Sequence, residues 1–161
     1  MKEKKVVFLS YDGITDPLGQ SQILPYLFGL SSNKNYKITI VSFEKIKNHL
    51  QNNDVILNKL KKNNVDWIPL KYTKRPPILS TIWDIYKLRK AVNKLKVKGL
   101  DLVHCRSYVT TLVALGLKKK YKTPFIFDMR GFYADERVDG KIWSLDNFIY
   151  KKIYNYFKSK E

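Results

Sequence analysis

Short, strongly apolar runs alternate with stretches of helical periodicity along this chain, and that alternation restricts its fold more than any other feature. The strand-like runs are residues 6–9, 36–43, 65–70, 100–105 and 124–127. The segments joining them are long enough for the crossover of about a dozen residues that parallel pairing needs. The pattern predicts an α/β fold, a doubly wound parallel sheet of strand order 3-2-1-4-5. Its switch point falls between the first and fourth strands, and such sheets bind ligands at the carboxyl ends of the strands beside it.

Residues 6–9, Val-Val-Phe-Leu, form the continuous apolar run expected of a strand covered on both faces. The loop after it carries Asp12, Gly13, Asp16, Pro17 and Gly19. Residues 20–30 read as a helix, with Ser21 as its cap and Pro25 in its first turn. That order aims backbone N–H groups at a ligand-facing edge. Gly13 and Gly19 either satisfy turn geometry or let a ligand approach the backbone closely. The loop is longer than most connections, which favours the ligand.

A length of 161 residues is about one domain, and a 44% hydrophobic content supplies its core. No apolar run approaches the ~20 residues of a membrane span. The Met-Lys-Glu-Lys-Lys start leads into a short strand, not into a signal-peptide core. The lone Cys105 excludes an internal disulfide, so a cytoplasmic location is expected. The formal charge of +17, from 31 basic and 14 acidic residues, suits an anionic substrate, a membrane surface or nucleic acid. Lysine is spread over every segment. Arg106, Arg130 and Arg137, by contrast, fall in the loops after the fourth and fifth strands, and Asp12, Asp16, Asp128, Asp135, Glu136 and Asp139 fall at the same edge. One edge of the sheet is chemically dense.

Elsewhere the residues read more plainly. Residues 45–62 form a helix with His49 on its surface, and Pro69 demotes the third strand to an edge. Ile78, Ile82, Ile85, Leu88, Val92 and Leu95 mark the clearest amphipathic helix, whose lysines are either solvated or in contact with anionic lipid. Residues 128–141 interleave charges with Phe132 and Tyr133 and read as a packed, polar-lined loop near a site. Residues 142–158 place Leu145, Phe148, Ile149, Ile153, Tyr156 and Phe157 on one helical face. The expected organisation is a domain at 1–141 and a C-terminal amphipathic helix at 142–161, with an exposed apolar patch around Phe148, Ile153, Tyr156 and Phe157.

Three stretches then converge: Asp16-Pro17-Leu18-Gly19-Gln20-Ser21-Gln22, Asp101-Leu102-Val103-His104-Cys105-Arg106-Ser107, and Phe127-Asp128-Met129-Arg130-Gly131-Phe132-Tyr133-Ala134-Asp135-Glu136-Arg137. Together they resemble the N-terminal half of a group 1, family 4 glycosyltransferase of the two-Rossmann-domain (GT-B) kind, over essentially the whole chain. The resemblance implies a Rossmann-like acceptor-side domain. It implies retaining transfer of a sugar from a nucleotide-sugar donor to a glycan or lipid-linked acceptor, in cell-surface glycan or glycolipid synthesis, with no metal or other cofactor. In that family the nucleotide sugar is held chiefly by a second domain with a Glu-x7-Glu motif, and nothing after Lys141 resembles it. The expectation is a half-enzyme, inactive alone, with a partner chain supplying the second domain and peripheral attachment at the inner membrane face.

Carried over residue by residue, Gly19 and Gln20 match the first-loop position near the donor, with Asp16 beside them as a substrate-binding candidate. His104 or Arg106 matches the polar side chain after the fourth strand that faces the transferred sugar. Two-residue periodicity puts both on one face, and Arg106 is preferred as nearer the loop. Arg130, Asp135, Glu136 and Arg137 match the third stretch as a polar wall for phosphate and hydroxyls, with Glu136 a catalytic candidate. Alternatively, Arg130 pairs with Asp135 or Glu136 and braces the loop.

Rival readings are weaker. A dinucleotide-binding oxidoreductase would place its ribose-binding acid at Glu44, yet the first loop lacks Gly-x-Gly-x-x-Gly. A phosphate-receiving regulatory domain would use Asp12, but no lysine directly follows the fifth strand. Nucleic acid is not expected as a partner, because the aromatics are not interleaved with lysines on one surface. The strongest competitor is a non-catalytic half that binds acceptor or a partner chain.

Overall fold

Residues 3–33, 35–96 and 99–161 are described by the computed structural model. The β-branched and aromatic runs form β1 (Lys4–Ser10), β2 (Tyr36–Glu44), β3 (Asp66–Lys71), β4 (Leu102–Arg106) and β5 (Phe125–Asp128). All pair in parallel, in the order β3-β2-β1-β4-β5, as the alternation predicts. The helices are α1 (Leu24–Ser31), α2 (Ile46–Lys62), α3 (Leu79–Lys96), α4 (Tyr108–Tyr121), α5 (Tyr133–Asp139) and α6 (Phe148–Lys158).

The pleat divides the core into two layers. Val7, Leu9, Val41, Phe43, Val103 and Cys105 face one side and pack with Leu88 and Val92 of α3 and Val113 and Leu117 of α4. Phe8, Ile38 and Ile40 face the other and pack with Leu24 and Leu27 of α1 and Ile56 and Leu60 of α2. Phe8 is in register with His104, which is in register with Ile126, so the second face continues across β4 and β5. Ile126 stays exposed there, because α1 and α2 cover only the β1 side. That step from covered to uncovered sheet makes room for a ligand.

Several local expectations change. The first helix opens as a π-helical turn, Gly19–Ile23, and the Ser21 hydroxyl bonds the Leu18 carbonyl instead of capping it. Residues 133–139, read as loop, form α5. Asn147 caps α6 by accepting from the N–H groups of Ile149 and Tyr150. The apolar patch expected on α6 is half closed: Phe157 and Ile153 turn in against Tyr108, Tyr133 and Ala134, while Phe148, Ile149 and Tyr156 remain exposed. His49, read as a surface residue, is half-buried edge-on to Trp67 at 5.4 Å. Cys105 is buried, and burial pushes its thiol up to about 12.

Candidate functional site

Past the end of β1 the chain crosses the end of β2, and Glu44 decides how that loop sits. Its side chain is turned inward, and the residue is only 3% exposed. The carboxylate accepts from the N–H groups of Ile14 (3.0 Å) and Thr15 (3.1 Å), from the Thr15 hydroxyl, and from the Ser42 hydroxyl (2.6 Å). Trp67 Nε1 donates in turn to Ser42 Oγ at 2.8 Å. An internal carboxylate therefore occupies the Ile14 and Thr15 amides of the first loop, and this acid is not placed to hold a ribose. Asp16 is likewise engaged by the Lys45 ammonium (2.7 Å) and the Asn48 amide. The Thr15 carbonyl accepts from Gln20 Nε2 and Asn52 Nδ2, both at 3.1 Å. A Cβ at position 19 would lie 2.2 Å from the Gly13 carbonyl oxygen, so Gly19 serves the packing of the turn against its own loop.

One turn onward the helix faces the uncovered sheet. Gln22 and Tyr26, four residues apart, point the same way. With Phe8, Ile23, His104, Arg106, Ile126, Asp128 and Arg130 they line an open cavity of about 500 Å³, within the ~300–1,000 Å³ of small-molecule sites. Arg106 Nη2 and Arg130 Nη2 both donate to Gln22 Oε1, at 2.9 and 3.1 Å. The Asp128 carboxylate lies 3.6 Å from Arg130 Nη1, 3.9 Å from Arg106 Nη1 and 4.0 Å from His104 Nε2, and Asp12 lies 3.7 Å from Arg106 Nε. These are ion-pair distances, too long for hydrogen bonds.

Arg106 is 6% exposed and His104 7%, yet Arg106 Nε and His104 Nε2 have no hydrogen-bond partner. A buried polar group without a hydrogen-bond partner costs ~1–3 kcal/mol, and these two line one cavity. The His104 ring is held edge-on by Phe8 (4.8 Å) and Tyr26 (5.7 Å). Burial lowers its pKa; Asp128 opposes that shift and Arg106 adds to it. The imidazole is therefore neutral at pH 7, able to exchange a hydrogen bond with a hydroxyl while Arg106 supplies charge.

The lowered pKa has a stability consequence of definite sign. Below the ordinary histidine value of ~6.5 the unfolded chain binds this proton more readily than the folded one, so this contribution is complete above that value and lost on acidification. In urea unfolding from about pH 7 to pH 5, His104→Gln is expected to lose less stability than the native chain. Parallel profiles would assign the acid sensitivity to other groups.

Of the residues expected at the site, the structure brings His104, Arg106 and Arg130 together. Gly19 and Gln20 pack and bind within the first loop and Asp16 is tied to Lys45 and Asn48 at the start of α2, all three outside the cavity lining. Asp135 accepts from Tyr154 Oη (2.8 Å) and Lys158 Nζ (2.9 Å), and the Lys158 ammonium, then the Tyr154 hydroxyl, holds its carboxyl below the usual range. Arg137 lies over the Tyr133 ring, 4.9 Å from its centroid, and Glu136 is exposed with its carboxylate over the Gly131 backbone. Arg130 turns to Gln22 and Asp128, so the brace to Asp135 or Glu136 does not form. Gln22, Tyr26 and Asp128 join the site beyond the residues expected from the sequence. The helical spacing of the first two, and the register of Asp128 with Arg106, are the signals that identify them. Among the described residues no group of three His, Cys, Asp or Glu is placed to hold a metal ion.

Two guanidinium groups sharing one neutral amide oxygen leave room for a stronger acceptor. Gln22→Glu is expected to raise stability by about 1 kcal/mol and to weaken anion binding about tenfold, because the new carboxylate competes for the same forks. Urea unfolding and titration with inorganic phosphate measure the two effects. Unchanged phosphate affinity would place the anion away from these arginines.

No family model matches the chain, and no curated protein does. Solved structures share its fold. The C-terminal domain of a hydrogenase from Pyrococcus furiosus matches with a TM-score of 0.53 at 19% identity, over 80% of this chain and 93% of that one. A putative UDP-N-acetylglucosamine 2-epimerase from Listeria monocytogenes matches at 0.53 and 10% identity, over 98% of this chain and 38% of that one. A glycosyltransferase from Rickettsia africae matches at 0.50 and 14% identity, over 77% of this chain and 29% of that one. The chain thus corresponds to a minor part of the last two. Such identities establish the fold alone: a Rossmann-like α/β domain, of a kind found in glycosyltransferase-type proteins and elsewhere. Its cavity lies at the carboxyl edge, where such sheets hold ligands.

Proposed function

We propose that this chain is the acceptor-side, N-terminal domain of a nucleotide-sugar-dependent retaining glycosyltransferase of the two-Rossmann-domain kind, acting in cell-surface glycan or glycolipid synthesis. The observation that carries the reading is the meeting of Arg106, Arg130 and His104 in one cavity, with Arg106 Nε and His104 Nε2 buried and without a hydrogen-bond partner. Two of the three stretches that resemble that family supply these residues, and the first supplies Gln22.

In this reading the Arg106 fork grips a phosphate oxygen and opposes the charge that develops as the sugar leaves its nucleotide. Arg130 supplies a second, more exposed fork. Neutral His104 hydrogen-bonds a sugar hydroxyl, and Phe8 and Ile126 offer apolar surface to the ring. Asp128 keeps the three polar groups in place. The nucleotide falls to a second Rossmann domain. The inward-turned Glu44 tells against the dinucleotide reading.

Chemical-shift mapping with glycosyl phosphates, nucleotide sugars and nicotinamide dinucleotides tests this. The sugar ligands are expected to perturb His104, Arg106 and Arg130, and the 161-residue chain is expected to transfer no sugar by itself, since aligning donor with acceptor supplies about 7–11 kcal/mol of barrier lowering. Selective binding of the dinucleotides, or turnover by the chain alone, would overturn it.

A further inference from the structure

On the sheet face opposite the cavity, α3, α4 and α6 enclose a shallow groove of about 750 Å³. Ile85 and Leu112 are half-buried in it. Its lips remain in water: Ile82 and Tyr86 from α3, Leu115 from α4 and Tyr156 from α6. Trp83, 54% exposed, stacks on Tyr86 with ring centroids 5.3 Å apart. Exposed apolar side chains are ordinary when scattered, but these are contiguous, and indole and phenol rings side by side suit a medium that is apolar on one side and wet on the other.

The charge on this layer is one-sided. Arg89, Lys119 and Lys160 border the groove, and no acidic residue lines it among the described residues. α4 and α6 contain no carboxylate at all. The single acid of α3, Asp84, is fully buried, where it accepts from Tyr11 Oη (3.0 Å) and the Thr73 N–H (3.2 Å) and pairs with Lys87 Nζ (2.7 Å). The acids beside α6 are engaged away from the groove: Asp135 pairs with Lys158 Nζ (2.9 Å), and Glu161 pairs with Lys158 Nζ (2.5 Å) and accepts from Tyr108 Oη (3.1 Å).

We infer that the α3–α4–α6 groove docks this domain on a bilayer containing anionic phospholipid. The aliphatic and aromatic lips enter the headgroup boundary, and the three cations meet lipid phosphates while their methylene stems lie along the apolar surface. The opposite sheet face, with its cavity, stays open to solvent. The proposal is independent of what the cavity binds.

The test uses the full chain with vesicles of phosphatidylcholine alone and vesicles about one-third phosphatidylglycerol. It is expected to co-sediment with the anionic vesicles only, to be released by added salt, and to show a blue shift in tryptophan emission that Trp83→Phe largely removes. Arg89→Gln with Lys119→Gln is expected to lower the partition coefficient about tenfold or more. Lys59→Gln with Lys61→Gln, the same charge change on α2, is expected to lower it less than about threefold. Circular dichroism confirms that each variant folds. Equal loss from both pairs would reduce the effect to net charge and overturn the assignment. So would binding to neutral vesicles, or no binding. A chain that ignores vesicles but dimerises in sedimentation velocity, and becomes monomeric as Trp83→Ser, would give the groove to a second copy instead.

Discussion

Glu44→Ala is expected to destabilise the domain by about 3–5 kcal/mol, the largest effect of any single substitution outside the apolar core. The side chain accepts four hydrogen bonds, two from backbone N–H groups and two from hydroxyls. Truncation strands the Ile14 and Thr15 amides in a buried loop, where rotation cannot find them new partners, whereas the two hydroxyls can turn. Glu44→Gln should fall between. One amide oxygen can still serve Ile14 and Ser42, but the NH2 group then faces the Thr15 N–H, donor against donor. Urea unfolding of the three proteins gives the order native, Gln, Ala. A Glu44→Ala loss below about 1 kcal/mol would mean that water replaces the carboxylate and that the loop is held by Asp16 and Asn52 instead.

The brace also reaches the cavity. Gln22 and Tyr26 project from the helix that starts where the Glu44-held loop ends, and the Gly19 turn packs directly on Gly13. A loosened loop would let Gln22 drift from the two arginines. Glu44→Ala, purified at low temperature, should therefore bind anionic ligands less tightly despite being outside the cavity.

The sheet order was readable because short strand-like runs alternate with segments long enough for parallel crossovers, so few topologies compete. Pairing of His104 with Arg106 on one face followed from strand periodicity alone. What could not be read is which of several acids at one edge looks inward. Glu44 sits where a ribose-binding acid would, and only the return of residues 13–15 over the end of β2 converts it to a loop brace. Asp16 and Asp135 have the composition of ligand groups, but Lys45, Asn48, Tyr154 and Lys158 reach them first. The aromatic density of residues 128–141 suggested packing, which Tyr133 makes and Phe132, 56% exposed, does not. It did not reveal α5, whose Tyr133 and Ala134 are needed to seat Phe157.

Arg106→Ala should leave the domain folded and lower its affinity for a glycosyl phosphate about a hundredfold. Removing the side chain strands little, because Gln22 and Asp128 line the open cavity, the Asp12 side chain is 54% exposed, and all three can be hydrated, while the Thr110 hydroxyl bonds backbone carbonyls, those of Arg106 (2.7 Å) and Ser107 (2.9 Å). What is lost is a buried guanidinium whose Nε has no hydrogen-bond partner and whose interaction with an anion is poorly screened by water. Arg130 makes the contrast: its side chain is 47% exposed, so Arg130→Ala should cost only about fivefold. Arg106→Lys keeps the charge but loses the planar fork and should lie between the two. Calorimetric titration of the three variants against one glycosyl phosphate ranks them. In a two-domain enzyme assembled around this chain, Arg106→Ala should lower kcat/KM by about a hundredfold to a thousandfold, since the same group opposes charge in the transition state. Equal effects at the two arginines would show that the anion sits at the cavity mouth and that the buried guanidinium serves the fold.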